Sequence, residues 1–120
     1  MMDRSKTRLC RSQGIPVGIQ LAHAGRKATS ATPWDSAGPL AVSAPGAAWR
    51  TVRPSPIAHT SSWPTPHALS VGQIGKIVES FAAAARRAVE AGFDFIEIHG
   101  AHGHLIHSFL SPLANLRSDD

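Results

Sequence analysis

Between Ser70 and Ile98 the chain runs from an amphipathic helix through a single glycine into a short apolar strand, and this succession limits the fold more than any other feature. Ser70 and Gln73 form an S-x-x-Q capping box. Val71, Ile74, Ile77, Val78, Phe81, Ala85, Ala88 and Val89 then recur at helical spacing as one apolar stripe, with Glu79, Arg86, Arg87 and Glu90 at polar positions around it. Gly92 stands where a helix ends in a left-handed residue. Phe93 to Ile98 follows at once as a strand. Helix, glycine and strand in immediate order make half of a βαβ unit, and such units build parallel sheets.

A second strand is expected at Ile15 to Leu21, IPVGIQL. The period of two places Ile15, Val17, Ile19 and Leu21 on one face, with Gln20 on the other near the C-terminal end. In Phe93 to His99, Asp94, Ile96 and Ile98 share one face, and Glu97 and His99 share the other. If the isoleucines meet the helix, Glu97 and His99 point to the interior of a barrel, as does Gln20. A glutamate so placed requires a hydrogen-bonded or charged partner. Polar residues at the C-terminal ends of parallel strands are where a (β/α) barrel builds its site.

The other segments are less regular. Met1 to Ser12 reads as the last turns of a helix or a frayed end, broken at Gly14. His23 to Leu69 is a long Pro-, Gly-, Ala- and Ser-rich loop with room for a short hairpin, and it holds Trp34, Trp49 and Trp63. Structureless loops of this length are uncommon inside compact domains, and are functional lids or a sign that elements within them have been missed. The tryptophans either line a site or pack the loop down. A short helix is expected over His104 to Leu110, stopped near Pro112.

Bulk properties exclude several classes. One cysteine, Cys10, rules out an internal disulfide framework and favours a cytoplasmic setting. No apolar run reaches the ~20 residues that span a bilayer, and no signal-peptide h-region follows the basic N-terminus. The net charge of +4 is spread without a compact basic run or a zinc-finger or RNA-binding signature, so neither nucleic acid nor membrane is an expected partner.

Four histidines, His99, His102, His104 and His107, crowd into nine positions. A metal-binding module is one reading, weakened by the absence of HExxH and of a nearby cysteine. Ordinary core and surface histidines are another, favoured for His107, which lies among apolar residues. A third suits His99 and His102: two imidazole N–H donors at a strand end can hold and polarise a substrate oxygen. HAGRK, His23 to Lys27, follows the first strand; it reads as a solvated basic turn or a weak anion site.

Taken together, GIQLAHAGRKA (Gly18 to Ala28) and AGFDFIEIHGAHGHLIHSFLSPLANLRSD (Ala91 to Asp119) resemble the Old Yellow Enzyme family of NADH:flavin oxidoreductases. The spacer, with Pro33–Trp34 and RPSPI at Arg53 to Ile57, is similar to its xenobiotic-reductase branch. The resemblance implies a single FMN-binding TIM-barrel domain, of which residues 1–120 are a fragment from about the third strand to just past the fourth. It implies hydride transfer from NAD(P)H to FMN and then to an activated alkene. Gln20 is thereby expected to contact the flavin, and His99 and His102 to bind the substrate oxygen. His104 stands where the family carries its proton-donating tyrosine, so it is the candidate acid; no metal is expected. The partners implied are a small activated alkene, a second copy of the chain or a complementary barrel fragment. The competing expectation is a non-catalytic fragment or decayed gene product. The family's later phosphate-binding strands are not in this sequence, so this chain by itself is expected to bind FMN weakly or not at all; binding in the micromolar range or tighter in a flavin titration is the contrary result.

Overall fold

The computed structural model describes residues 4–32, 34, 38–39 and 49–119. It comprises two compact units, residues 1–22 with 70–99 and residues 23–69 with 100–120.

The first unit holds α1 (Ser5–Ser12), β1 (Gly18–Leu21), α2 (Val71–Ala91) and β4 (Phe95–Ile98). β1 and β4 pair in parallel, with Gly18 opposite Phe95, Ile19 opposite Ile96, Gln20 opposite Glu97 and Leu21 opposite Ile98. This is the expected βαβ unit. Both strands are shorter than the sequence suggests, because pairing begins at Gly18 rather than Ile15 and at Phe95 rather than Phe93. The cause is Asp94. Its backbone N–H donates to Val17 O at 2.8 Å, while its carboxylate accepts from Val17 N at 2.9 Å and from Arg11 Nη2 at 2.6 Å. The side chain thus takes a bond that a ladder would need. The Val17 amide, with Arg11 beside it, holds this carboxyl below the usual carboxylate range.

α2 begins at a complete capping box. Ser70 Oγ accepts from Gln73 N, and Gln73 Oε1 accepts from Ser70 N. It ends at Gly92, whose φ of 90° is left-handed, with Phe93 N–H reaching back to Ala88 O. Ser70→Ala is expected to cost about 1 kcal/mol of stability by removing the acceptor for an otherwise orphaned helix N–H, read from denaturant unfolding. The apolar stripe divides in the fold. Ala88 and Ala91 are buried, and Ile74, Ile77, Phe81 and Ala85 are half-buried. Val71, Val78 and Val89, which line up along one edge of the stripe, are 58%, 63% and 64% exposed, since two strands are too narrow to cover the full stripe. Thr7 of α1 is buried and donates its hydroxyl to Ala91 O at 2.9 Å, which fastens α1 to the end of α2.

The second unit holds a 3-10 turn (Gly25–Lys27), β2 (Val52–Arg53), β3 (His67–Ala68) and α3 (Leu105–Leu110). β2 and β3 are parallel, and elsewhere in the loop an isolated antiparallel bridge joins Ser30 and Pro39. Leu105, 2% exposed, is its principal apolar anchor. Gly25, at φ 60°, lets the backbones meet: a Cβ there would lie 3.1 Å from the Leu105 backbone. Arg117 binds the carboxylate of Asp119 and the carbonyl of Leu69, drawing the C-terminal stretch onto the loop. Trp34 and Trp49 are exposed, whereas Trp63 is half-buried with its ring edge-on to His59 at 5.3 Å. Pro33 lies outside the described residues. Among the described residues no helix is long and apolar enough to cross a membrane.

Candidate active site

In the first unit, the β1–β4 register brings Gln20 and Glu97 side by side on the face away from the half-buried Ile19 and Ile96. Gln20 Nε2 donates to Glu97 Oε1 at 2.6 Å. Glu97 thus has a hydrogen-bonded partner, but both side chains are exposed, so burial does not demand the pairing as the strand phase suggested. The bond also fixes the amide, because a carboxylate only accepts and so selects the NH2 end of Gln20. Among the described residues the Gln20 amide makes no other side-chain hydrogen bond. Gly18 completes this face: a Cβ there would fall 2.0 Å from the Phe95 ring, so only glycine lets that ring cross β1. His99 follows β4 by one residue, and its N–H donates to Leu21 O at 2.8 Å, extending the ladder past the strand. Strand alternation gives His99 the same face as Glu97, and its side chain is half-buried.

In the second unit, His102 and His104 stand on the turn that leads into α3. His102 is exposed and has φ 56°, a left-handed conformation that costs a residue with a Cβ about 1–2 kcal/mol. Gly103 follows at φ 69°. The turn is held at both ends of the peptide group between residues 102 and 103: Lys27 Nζ donates to His102 O at 2.5 Å, and Gly103 N donates to His107 Nδ1 at 2.8 Å. Next to it, Leu105 N donates to His23 O at 3.0 Å. His104 is the N-terminal boundary residue of α3, half-buried, with its carbonyl accepting from Ser108 N.

Two readings change here. His107 is exposed and serves as a hydrogen-bond acceptor for the turn, not as packing; its apolar neighbours in sequence lie on other faces of a short helix. HAGRK is not a solvated turn. Lys27 and Arg26 are half-buried and spent on carbonyls, the latter on Ala58 O at 2.5 Å. Burial lowers the His23 imidazole from its usual value, and its Nδ1 accepts from Gly25 N at 3.0 Å. Among the described residues no group of three or more His, Cys, Asp or Glu gathers to hold a metal. Residue type alone did not mark Lys27 and His107 as supports of the His102 turn. The one available signal was that each lies close in sequence to a glycine or histidine of the site.

The family model of the NADH:flavin oxidoreductase / NADH oxidase family matches residues 7–120. The chain belongs to this family. It is 46% identical over 117 residues to an NADH:flavin oxidoreductase of Gibberella zeae, covering 95% of this chain and 28% of that protein. An NADPH dehydrogenase of Bacillus subtilis is 45% identical over 114 residues, again 95% of this chain and 29% of its own length. Among solved structures, morphinone reductase superposes with a TM-score of 0.77 at 27% identity, over 97% of this chain and 32% of that one. The chain therefore spans less than a third of the relatives it matches. The fold is a partial (β/α)8 barrel, with β1 and β4 as two of its parallel strands. FMN, with NADH or NADPH as reductant, is the chemistry of the family.

Proposed function

We propose that this chain contributes the substrate side of an FMN-dependent ene-reductase site, as a fragment of one barrel domain. The observation that carries the reading is the Gln20–Glu97 pair. An oriented amide with one free acceptor and one free donor fits the alternating carbonyl and N–H groups on the edge of a flavin ring. FMN, when bound, supplies hydride received from NAD(P)H. The residues of this chain bind, orient and protonate. Gln20 would hold the ring edge, with Glu97 keeping its amide in the productive sense. By the family resemblance, His99 and His102 would donate to the oxygen of an activated alkene. That oxygen gains negative charge as the β-carbon is reduced, so donors already in place lower the barrier.

His104 is proposed as the acid that protonates the α-carbon, in the position of the family's tyrosine. Imidazolium is competent near neutral pH, but its length and its angle of approach differ from a phenol's. In a full-length, FMN-loaded barrel carrying this segment, NADPH-driven reduction of a cyclic enone is the direct test, and no alkene reduction above free FMN would refute the reading. His104→Tyr in the same protein is expected to raise turnover about tenfold or more, within the range of general acid catalysis. Unchanged turnover would remove His104 from the proton-donor role.

A further inference from the structure

Residues 23–69 with 100–120 hold positive charge that the flavin chemistry does not use. Their cations are Arg26, Lys27, Arg50, Arg53 and Arg117, against Asp35, Asp119 and Asp120. Asp119 is taken by Arg117. Arg26 and Arg53 rest on carbonyls instead of carboxylates. Arg53 Nη1 donates to Ile57 O at 2.6 Å, and Arg26 Nη1 donates to Ala58 O at 2.5 Å. Consecutive carbonyls thus draw two guanidinium groups together immediately before His59. Arg53 is 1% exposed, while Arg26 and His59 are half-buried.

Bringing these groups together is unfavourable as the chain stands. Burial, then the charge of Arg26, lowers the Arg53 guanidinium from its usual value. Burial, then Lys27, Arg26 and Arg53, lowers the His59 imidazole. Carbonyls offset only part of this, and three nitrogens stay unspent: Arg26 Nε, Arg53 Nε and His59 Nδ1 are buried and make no hydrogen bond within the described residues. A buried polar atom without a partner costs about 1–3 kcal/mol, more when charged. Two cationic N–H groups and an imidazole nitrogen in one neighbourhood are the donor set of an anion site.

We propose that Arg26, Arg53 and His59 form an anion site that takes a small oxyanion of the phosphate class. Guanidinium groups match the geometry of tetrahedral oxyanions, and a dianion offsets their mutual repulsion better than a halide does. Arg26 and His59, the half-buried members, give the site its contact with solvent. The proposal is independent of the flavin reading. Free phosphate and a phosphate monoester on a larger molecule share this chemistry.

The test uses the full chain, titrated calorimetrically with inorganic phosphate and, separately, with methyl phosphate, against sodium chloride at matched ionic strength. The His59 ring is followed in parallel by NMR. Phosphate is expected to bind with a dissociation constant of about 1 mM or lower, and the His59 resonances are expected to move toward the protonated form. Equal binding of methyl phosphate identifies a site open to monoesters, and its exclusion identifies one for the free ion. Arg53→Met risks the fold because the side chain is buried, so the variants are Arg26→Gln and His59→Asn. Each is expected to weaken phosphate binding about tenfold or more, the range for charged hydrogen bonds. Arg87→Gln, exposed on α2, should leave it unchanged. Absence of both heat and a His59 shift beyond the chloride control overturns the proposal, as does unaltered affinity in both variants.

Discussion

Alanine at His99 or at His102, in a full-length FMN-loaded barrel carrying this segment, is expected to lower kcat/KM for a cyclic enone by about 10²- to 10³-fold, the typical loss when one donor to a developing oxyanion is removed. In the proposed role, an imidazole N–H would meet charge that exists mainly in the transition state. Water admitted in its place must reorient as the charge forms. If the two donate to one oxygen as proposed, the double variant should lose much less than the product of the two single losses. Stability should change little at His102, whose side chain is exposed. His102→Gly should even relieve its left-handed φ of 56°. Steady-state kinetics with a thermal melt separate these effects. A loss below threefold in both single variants, with the fold intact, would remove the pair from substrate binding.

Leu105→Ala is expected to destabilise the second unit by about 2–5 kcal/mol, the range for deleting a buried leucine. Leu105 is 2% exposed, its N–H is bound to His23 O, and its backbone lies against Gly25. The cavity would form where the 3-10 turn, the His102 turn and α3 converge. A small unit has little surplus stability to absorb this, so loss of cooperative unfolding is an acceptable form of the result. The measurement is urea unfolding of the parent and variant. Leu110→Ala serves as the control: Leu110 is 74% exposed and should cost within about 0.5 kcal/mol, as surface substitutions do. Equal midpoints for Leu105→Ala and the parent would show that Leu105 is not the anchor.

The sequence carried α2 almost to the residue, because its start and stop signals are local. Ser70 and Gln73 cap each other three residues apart, and Gly92 takes the left-handed conformation that ends the helix. It also carried the phase of β1 and β4, since alternation along a strand fixes which residues share a face. That phase put Glu97 on the same side as Gln20, but not in a buried interior, since both are exposed. The partner of Glu97 became visible only with the register, which set Gln20 opposite it across 77 positions of chain. The strand starts were not legible, because Asp94 replaces ladder bonds through its side chain, and hydrophobic alternation is blind to that.

The long loop was the least readable segment. Among its described residues, besides the β2–β3 pairing, Arg26, Arg53 and Lys27 reach backbone carbonyls and Arg117 reaches the carbonyl of Leu69. Every residue has a carbonyl, so such pairings leave no trace in composition or spacing. For the histidines the division is similar. The two motifs placed this chain in its flavin family and singled out His99, His102 and His104 by position. Only the tertiary structure decided that His107 serves the turn and that Lys27 holds His102. Sequence determines what is local and periodic; the choice among chemically equivalent distant acceptors belongs to the folded backbone.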